Sequence, residues 1–179
     1  MRAVIIYESL FGNTHVIAEA IRRGLEPGND VTVVPVAGAT QELLDGADLV
    51  VVGGPTHVHG MSRASTRKSA VEQAHKHDGQ PALDAGAEGP GLRDWFGSLG
   101  RMNGMAAAFD TRLAGPAMFT GSAAKGIAKL LERHGFTLIA EAGSFLVTSD
   151  NKLRAGEEDR AKEWGQALAA KVPATQVRR

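Results

Sequence analysis

The chain has 179 residues, 43% of them apolar, which is long enough to bury the core of one domain. Lysine plus arginine and aspartate plus glutamate each number 20, so the formal net charge is zero, and neither nucleic acid nor an anionic membrane is favoured as the main partner. Cysteine is absent, which excludes disulfides, thiolate metal sites and a cysteine nucleophile and leaves redox chemistry to a bound cofactor.

Short apolar runs rich in β-branched residues alternate with helical patterns. Strands are predicted at Ala3–Tyr7, Val31–Val36, Leu49–Gly53, Met105–Phe109 and Phe136–Val147, the last as one strand or as two pieces bent at Ala142-Gly143. Helices are predicted at Thr14–Leu25, Thr40–Leu44, Ser62–Lys76, Ser122–His134 and Glu157–Lys171. This alternation predicts an α/β fold, a three-layer, doubly wound, five-stranded parallel sheet with strand order 2-1-3-4-5.

Residues 1–173 are predicted to form a single domain. The segment Asp78–Gly104, rich in glycine and proline, interrupts the alternation and is interpreted as a flexible insertion with a short helix at Leu92–Leu99. Residues 174–179 are predicted to form a basic tail. The apolar run at residues 1–7 is too short for a signal peptide, and no stretch approaches the roughly 20 apolar residues of a spanning helix. We therefore expect a cytoplasmic protein without a membrane span.

The first chemical signal is the turn after the first strand, Ser9-Leu10-Phe11-Gly12-Asn13-Thr14, which leads directly into a helix. Ligands of open parallel sheets bind beyond the carboxyl ends of the strands, where a helix N-terminus offers free N–H groups to an anion. Because the loop contains no lysine or arginine, it would hold a phosphate by dipoles. The simpler alternative is that Thr14 is only an N-cap and Gly12 only a turn residue.

The second signal is Gly53-Gly54-Pro55-Thr56-His57-Val58-His59-Gly60, after the third strand. Three glycines and one proline in this short stretch predict a sharply turned loop. Because both loops follow parallel strands, they are expected to meet at one edge of the sheet.

The pair of motifs Ser-x-x-Gly-Asn-Thr and Gly-x-Pro-Thr resembles the phosphate and isoalloxazine loops of the flavodoxin family. The resemblance covers most of the chain, since the spacing of the five strands also fits. It implies a flavodoxin-like fold, FMN as the cofactor and a role in electron transfer. The sequence lacks the G-x-G-x-x-G, Walker A and G-x-S-x-G motifs, which disfavours a dinucleotide-binding domain, a nucleotide triphosphatase and a hydrolase.

The resemblance also assigns residues to the cofactor. The FMN phosphate would be surrounded by Ser9, Leu10, Phe11, Gly12, Asn13 and Thr14. In the second loop, which includes Pro55, Thr56 would give a hydroxyl to the phosphate or ribityl chain, and the ring would be bordered by His57, Val58, His59 and Gly60. A third loop, predicted at Phe109-Asp110-Thr111-Arg112, would close over the pyrimidine side of the ring through main-chain groups.

The charges expected around the ring differ from those of strongly acidic electron carriers. His57 stands where carriers often place a tryptophan or tyrosine, and the ring is expected among His15, His57, His59, Arg63 and Arg112, with Asp110 as the chief acid. Because cations stabilise a reduced, anionic flavin, we predict less negative reduction potentials than in those carriers. No metal site is expected, since His57 and His59 alternate in an extended loop and no carboxylate cluster accompanies them.

Three classes of function remain open. The chain is an electron carrier between partner proteins, an FMN-dependent NAD(P)H reductase of quinones or similar small molecules, or a flavin-free interaction domain on the same scaffold. The stretch Met61–Lys68 contains Arg63, Arg67 and Lys68. It is either a solvated helix start or a site for the phosphates of a nicotinamide cofactor or for an acidic protein partner.

Overall fold

The computed structural model describes residues 1–57, 60–76, 82–116 and 120–173, and for 73–76 it describes the backbone alone. Val58, His59, the first part of the predicted insertion (78–81) and the predicted tail (174–179) lie outside the described residues. None of the described helices combines the length and apolar character needed to cross a bilayer.

The described strands and helices alternate along the chain largely as predicted. The strands are β1 (Arg2–Tyr7), β2 (Asp30–Pro35), β3 (Leu49–His57), β4 (Gly60–Met61), β5 (Met105–Leu113), β6 (Thr137–Leu138) and β7 (Gly143–Val147). The α-helices are α1 (Asn13–Leu25), α2 (Gln41–Leu44), α3 (Ala64–Lys76), α4 (Leu92–Ser98), α5 (Ala123–Arg133) and α6 (Glu157–Lys171).

The sheet has the order β2-β1-β3-β5, with β6 and β7 both paired to the outer edge of β5. These pairings are parallel, and among the described strands only the short β4 runs antiparallel, against the end of β3. The predicted fifth strand is thus two pieces, β6 and β7, and the break lies directly before Gly143. Counting the two pieces as one strand gives the predicted order 2-1-3-4-5, so the fold class is confirmed.

Apolar cores lie on both faces of the sheet, as a three-layer fold requires. Alternate residues of β1 face opposite sides: Ile5 packs beneath α1 and α6, and Ile6 packs beneath α2, α4 and α5. On the first face, α1 and α6 approach so closely that a Cβ atom built on Gly24 would lie 2.1 Å from the carbonyl oxygen of Lys162. Glycine at this position therefore permits direct backbone contact between the two helices.

Two strands extend beyond their predicted ends. Residues 53–57 belong to β3 and residues 109–112 belong to β5. The loops predicted for these residues are therefore wrong, because both stretches form strand. Gly53 marks a close approach rather than a turn, because a Cβ atom on it would lie 2.1 Å from Cζ of Phe109. A Cβ atom on Gly54 would lie 2.8 Å from Cδ1 of Leu92. These two glycines let Phe109 and Leu92 pack against the β3 backbone.

The predicted helix within the insertion is confirmed as α4, but this part of the segment is not a loose excursion. Leu92, Trp95 and Phe96 are buried in the core that lies beneath α2, α4 and α5. The indole nitrogen of Trp95 also donates a hydrogen bond to the carbonyl oxygen of Ala39 (3.2 Å). The insertion thus contributes a helix to one layer of the fold.

Candidate functional site

A cleft of about 240 Å³, hereafter the first cleft, lies at the carboxyl edge of the sheet. It is formed by the loop after β1, the ends of β3 and β5, and the end of β7 with the loop that follows it. Its lining residues are Ser9, Leu10, Phe11, Asn13, Thr14, Pro55, Thr56, His57, Thr111, Arg112, Leu113, Val147, Thr148, Ser149 and Asn151. The cleft therefore brings together most of the residues that the two sequence motifs predicted.

The loop after β1 and the first turn of α1 contribute five residues to the lining of this cleft: Ser9, Leu10, Phe11, Asn13 and Thr14. Gly12 adopts a left-handed conformation (φ 84°), and its N–H donates to Oγ of Ser9 (3.1 Å). Gly12 itself occupies the N-cap position of α1, so the alternative that Thr14 is the N-cap is wrong. Val16 donates to the carbonyl oxygen of Gly12 (2.9 Å), and the amides before it have no earlier helical turn as acceptor. The first turn of α1 therefore offers N–H donors and a positive dipole end to an anion.

Side-chain hydrogen bonds join this loop to other walls of the first cleft. The buried hydroxyls of Thr14 and Thr111 share one hydrogen bond (2.8 Å). The Asn13 amide donates to the carbonyl oxygen (2.9 Å) and to Oδ1 (3.1 Å) of Asn151. These contacts tie the first loop to β5 and to the loop after β7, so the walls are held in place by the protein itself.

Asp110 and Phe109, both predicted near the flavin, do not line the first cleft. Asp110 is completely buried and accepts hydrogen bonds from Thr56 Oγ1 (3.1 Å), Ser122 Oγ (2.7 Å), the Ala124 amide (2.9 Å) and Ser144 Oγ (2.5 Å). Phe109 is equally buried, with edge contacts to the rings of Phe145 and Trp164. Asp110 organises the strand ends beneath the cleft rather than facing it.

Thr56 lines the first cleft, but its hydroxyl already forms hydrogen bonds within the protein. It donates to Asp110 and accepts a hydrogen bond from the Ala123 amide at the start of α5 (2.8 Å). Its hydroxyl hydrogen is therefore not free for a ligand, unlike the role that the sequence predicted.

Arg112 brings a fixed positive charge to the first cleft. Its Nε donates to Ser144 Oγ (2.8 Å), and Nη1 donates to the carbonyl oxygen of Gly115 (2.7 Å) and to Thr120 Oγ1 (2.9 Å). Among the described residues, no carboxylate pairs with this guanidinium. The charge is thus positioned by neutral acceptors and is not neutralised by them.

His57 separates the first cleft from a neighbouring one. A second cleft of about 410 Å³ is lined by His57, Gly60, Met61, Arg63, Ser65, Thr66 and Arg93. Burial lowers the pKa of His57; the nearby Glu8 carboxylate opposes this shift and the Arg67 guanidinium adds to it. At neutral pH the wall between the two clefts is therefore an uncharged imidazole.

His15, also predicted near the ring, is not part of the lining of either cleft. Its ring stacks on Tyr7 with centroids 4.5 Å apart, and its Nδ1 lies 3.4 Å from Asp84 Oδ2. Burial, together with the Asp84 and Glu19 carboxylates, raises the pKa of Tyr7 to about 12. This cluster supports the outer side of the first loop.

Sequence reasoning missed the wall that follows β7. Leu113 and Val147 at the strand ends, and Thr148, Ser149 and Asn151 beyond them, line the first cleft. A signal was present, since the polar run Thr148-Ser149-Asp150-Asn151 directly follows the last strand. Loops at the carboxyl ends of parallel strands share one edge, so the same rule that selected the first two loops also applies to this one.

The chain is similar to known proteins both in sequence and in fold. The profile of the protein family described as Flavodoxin matches residues 5–164. Among curated proteins, none matches the sequence. The structure resembles an archaeal flavodoxin (TM-score 0.66, 21% identity, 97% of this chain and 100% of that one). It also resembles flavodoxin 1 of Bacillus cereus (0.63, 18%, 97% and 100%) and a flavodoxin from a TIGR4 strain of Streptococcus pneumoniae (0.66, 19%, 96% and 100%).

Proposed function

This chain belongs to the flavodoxin family, and on that premise we propose that it binds one FMN in the first cleft and acts in electron transfer. The observation that carries the proposal is the first turn of α1, whose amides precede the first helical hydrogen bond and whose residues Asn13 and Thr14 line the first cleft. The phosphate of FMN would be held by the backbone between Leu10 and Thr14.

The remaining lining of the first cleft fits the rest of the cofactor. No described aspartate or glutamate lines it, so neither a phosphate nor a reduced flavin would meet a carboxylate there. Apolar surface for a tricyclic ring is offered by Leu10, Phe11, Pro55, Leu113 and Val147. The Leu113 side chain is 53% exposed, and a bound ring would cover it.

When bound, FMN supplies one- and two-electron redox chemistry. The chain's own residues bind and orient it. The amides after β1 fix its phosphate, the ties between Asn13 and Asn151 and between Thr14 and Thr111 hold the walls, and Arg112 favours added negative charge.

The phosphate assignment is tested with a pair of matched glycines. Gly12 (φ 84°) and Gly28 (φ 79°) share a left-handed conformation, and in both cases a Cβ atom would meet nothing within 4 Å. An alanine at either position costs about 1–2 kcal/mol of backbone strain, but of the two glycines only Gly12 belongs to the loop that lines the first cleft. We expect Gly12→Ala to weaken FMN about tenfold and riboflavin much less, and Gly28→Ala to leave both affinities unchanged, in fluorescence titrations.

Two outcomes would overturn this assignment. Equal losses for FMN and riboflavin in Gly12→Ala would show that the loop does not hold the phosphate. A wild-type protein that takes up no FMN in the titration would instead be a flavin-free interaction domain.

The two electron-transfer functions are separated by a kinetic assay. Steady oxidation of NAD(P)H by the FMN-loaded protein in the presence of a quinone identifies a reductase. Inertness toward nicotinamide, with rapid reduction by a separate flavoprotein reductase, identifies a carrier between proteins.

A further inference from the structure

The second cleft, which we call the arginine cleft, contains two guanidinium groups, those of Arg63 and Arg93, that pair with no carboxylate of the described residues. Arg63 is exposed, and Arg93 is oriented by the carbonyl oxygens of Ser62 (3.0 Å) and Met61 (3.4 Å). Within the described parts of the chain, neither forms a salt bridge with a carboxylate, and no acidic residue lines the cleft. As far as the structure describes its lining, the concave surface therefore carries a net positive charge.

The first turn of α3 adds backbone donors to the same cleft. Arg67 donates to the carbonyl oxygen of Arg63 (2.9 Å), so the amides of Ala64, Ser65 and Thr66 precede the first α-helical hydrogen bond. Ser65 and Thr66 belong to the lining. Two guanidinium groups beside free helix amides form a donor set suited to a phosphate group.

Hydrogen bonds and an ion pair connect the starts of α3 and α4, beside which Arg63 and Arg93 lie. The carboxylate of Glu8, which is 7% exposed, accepts hydrogen bonds from the Ser62 hydroxyl and from the Leu92 amide (2.8 Å). Arg67 pairs with Asp94 (2.8 Å). These contacts connect the starts of α3 and α4 and use the nearby acids internally, which leaves Arg63 and Arg93 for a ligand.

We propose that the arginine cleft binds the phosphate of a small organic substrate. The rest of the substrate would extend past His57 into the first cleft, toward the ring of the bound flavin. The inference rests on the proposed function, because only a flavin gives that neighbourhood a chemical role. A small molecule is favoured over an acidic protein because the cations line a cavity of about 410 Å³ rather than a flat patch.

The test uses pyrophosphate as the probe and FMN-saturated protein, so that the phosphate site of the first cleft is blocked. We expect pyrophosphate to shift the amide NMR signals of Gly60, Ser65 and Thr66. Arg63→Gln should weaken this binding about tenfold without loss of stability, since the Arg63 side chain forms no hydrogen bond or salt bridge with the described residues. Arg101→Gln, an exposed arginine at the opposite edge of the sheet, is the matched control and should bind as the wild type does.

Three results would overturn the proposal. They are unchanged affinity in Arg63→Gln, shifts confined to residues 9–14, or no pyrophosphate binding by a protein that does bind poly-glutamate, which would indicate an acidic protein partner. Failure of the proposed function is seen separately, in the FMN titration that precedes the experiment. If FMN does not bind but pyrophosphate binding still depends on Arg63, the phosphate site stands, whereas the flavin assignment and the extension of the ligand toward the flavin both fall.

Discussion

Arg112 is the one charged residue in the lining of the first cleft as the structure describes it. A unit charge about 4 Å away is worth roughly 4 kcal/mol at an effective dielectric of 20, and solvent reduces this value. Even about 1.4 kcal/mol corresponds to about 59 mV for one electron. We therefore expect Arg112→Gln to lower the midpoint potential of bound FMN by some tens of millivolts, measured by spectroelectrochemical titration.

Arg101→Gln serves as the control for this measurement, because it removes the same charge far from the first cleft and should leave the potential unchanged. An equal shift in both variants would mean that net charge, and not the position of Arg112, sets the potential.

His57 makes stability depend on pH. Its pKa is lowered chiefly by burial, so the folded state disfavours the protonated ring that the unfolded chain accepts below about pH 6.5. The contribution of the neutral His57 ring to the free energy of unfolding is complete above about pH 6.5. It is lost as the pH falls from 6.5 toward the lowered pKa. Urea unfolding at pH 7.5 and 5.5 should show a smaller loss of stability in His57→Gln than in the wild type. A wild-type loss that His57→Gln leaves unchanged would assign the pH dependence to other groups.

At the scale of elements, the contact between α1 and α6 depends on Gly24. A side-chain carbon there would overlap the carbonyl oxygen of Lys162, so Gly24→Ala must separate the helices. We expect it to lower the free energy of unfolding by about 1–3 kcal/mol, as overpacked cores do, in urea denaturation.

The matched control is Gly97→Ala in α4, where a Cβ atom would meet nothing within 4 Å. This variant should gain about 0.5–1 kcal/mol from helix propensity. If Gly24→Ala were equally harmless, the close approach of the two helices would be wrong.

Helix positions were predictable because their signals are local. Thr40 and Ser122 accept hydrogen bonds from Leu43 and Lys125 as N-caps, and the predicted helices begin at these two residues. The ends of β3 and β5 were not predictable in this way. Gly53 reads as a turn residue until Phe109, far along the chain, is known to lie against it. The burial of Asp110 likewise depends on donors from three other segments.

At the scale of the whole molecule, the two tryptophans report on opposite layers. Trp95 is buried with α4 in one core, and Trp164 packs from α6 against the other. We expect the fluorescence of Trp95→Phe and Trp164→Phe variants, each retaining one indole, to show urea transitions whose midpoints coincide with that variant's own circular dichroism. An earlier loss of the Trp95 signal would show that the insertion opens independently.

The order of the sheet followed from the alternation of strands and helices, which is a property of the whole sequence. The net charge of zero did not predict where the acidic and basic residues lie in the fold. Both clefts at this edge are free of described acids although the chain has as many acids as bases, because Glu8 and Asp110 are turned into buried hydrogen-bond networks.

The hydrogen bonds between Asn13 and Asn151 join two segments that are 138 residues apart in the sequence. During synthesis on the ribosome, a nascent chain that has not yet emerged past Asn151 lacks one wall of the first cleft. Cofactor capture must therefore wait until Asn151 has emerged and folded against Asn13. Chains stalled before that point should leave the ribosome colourless.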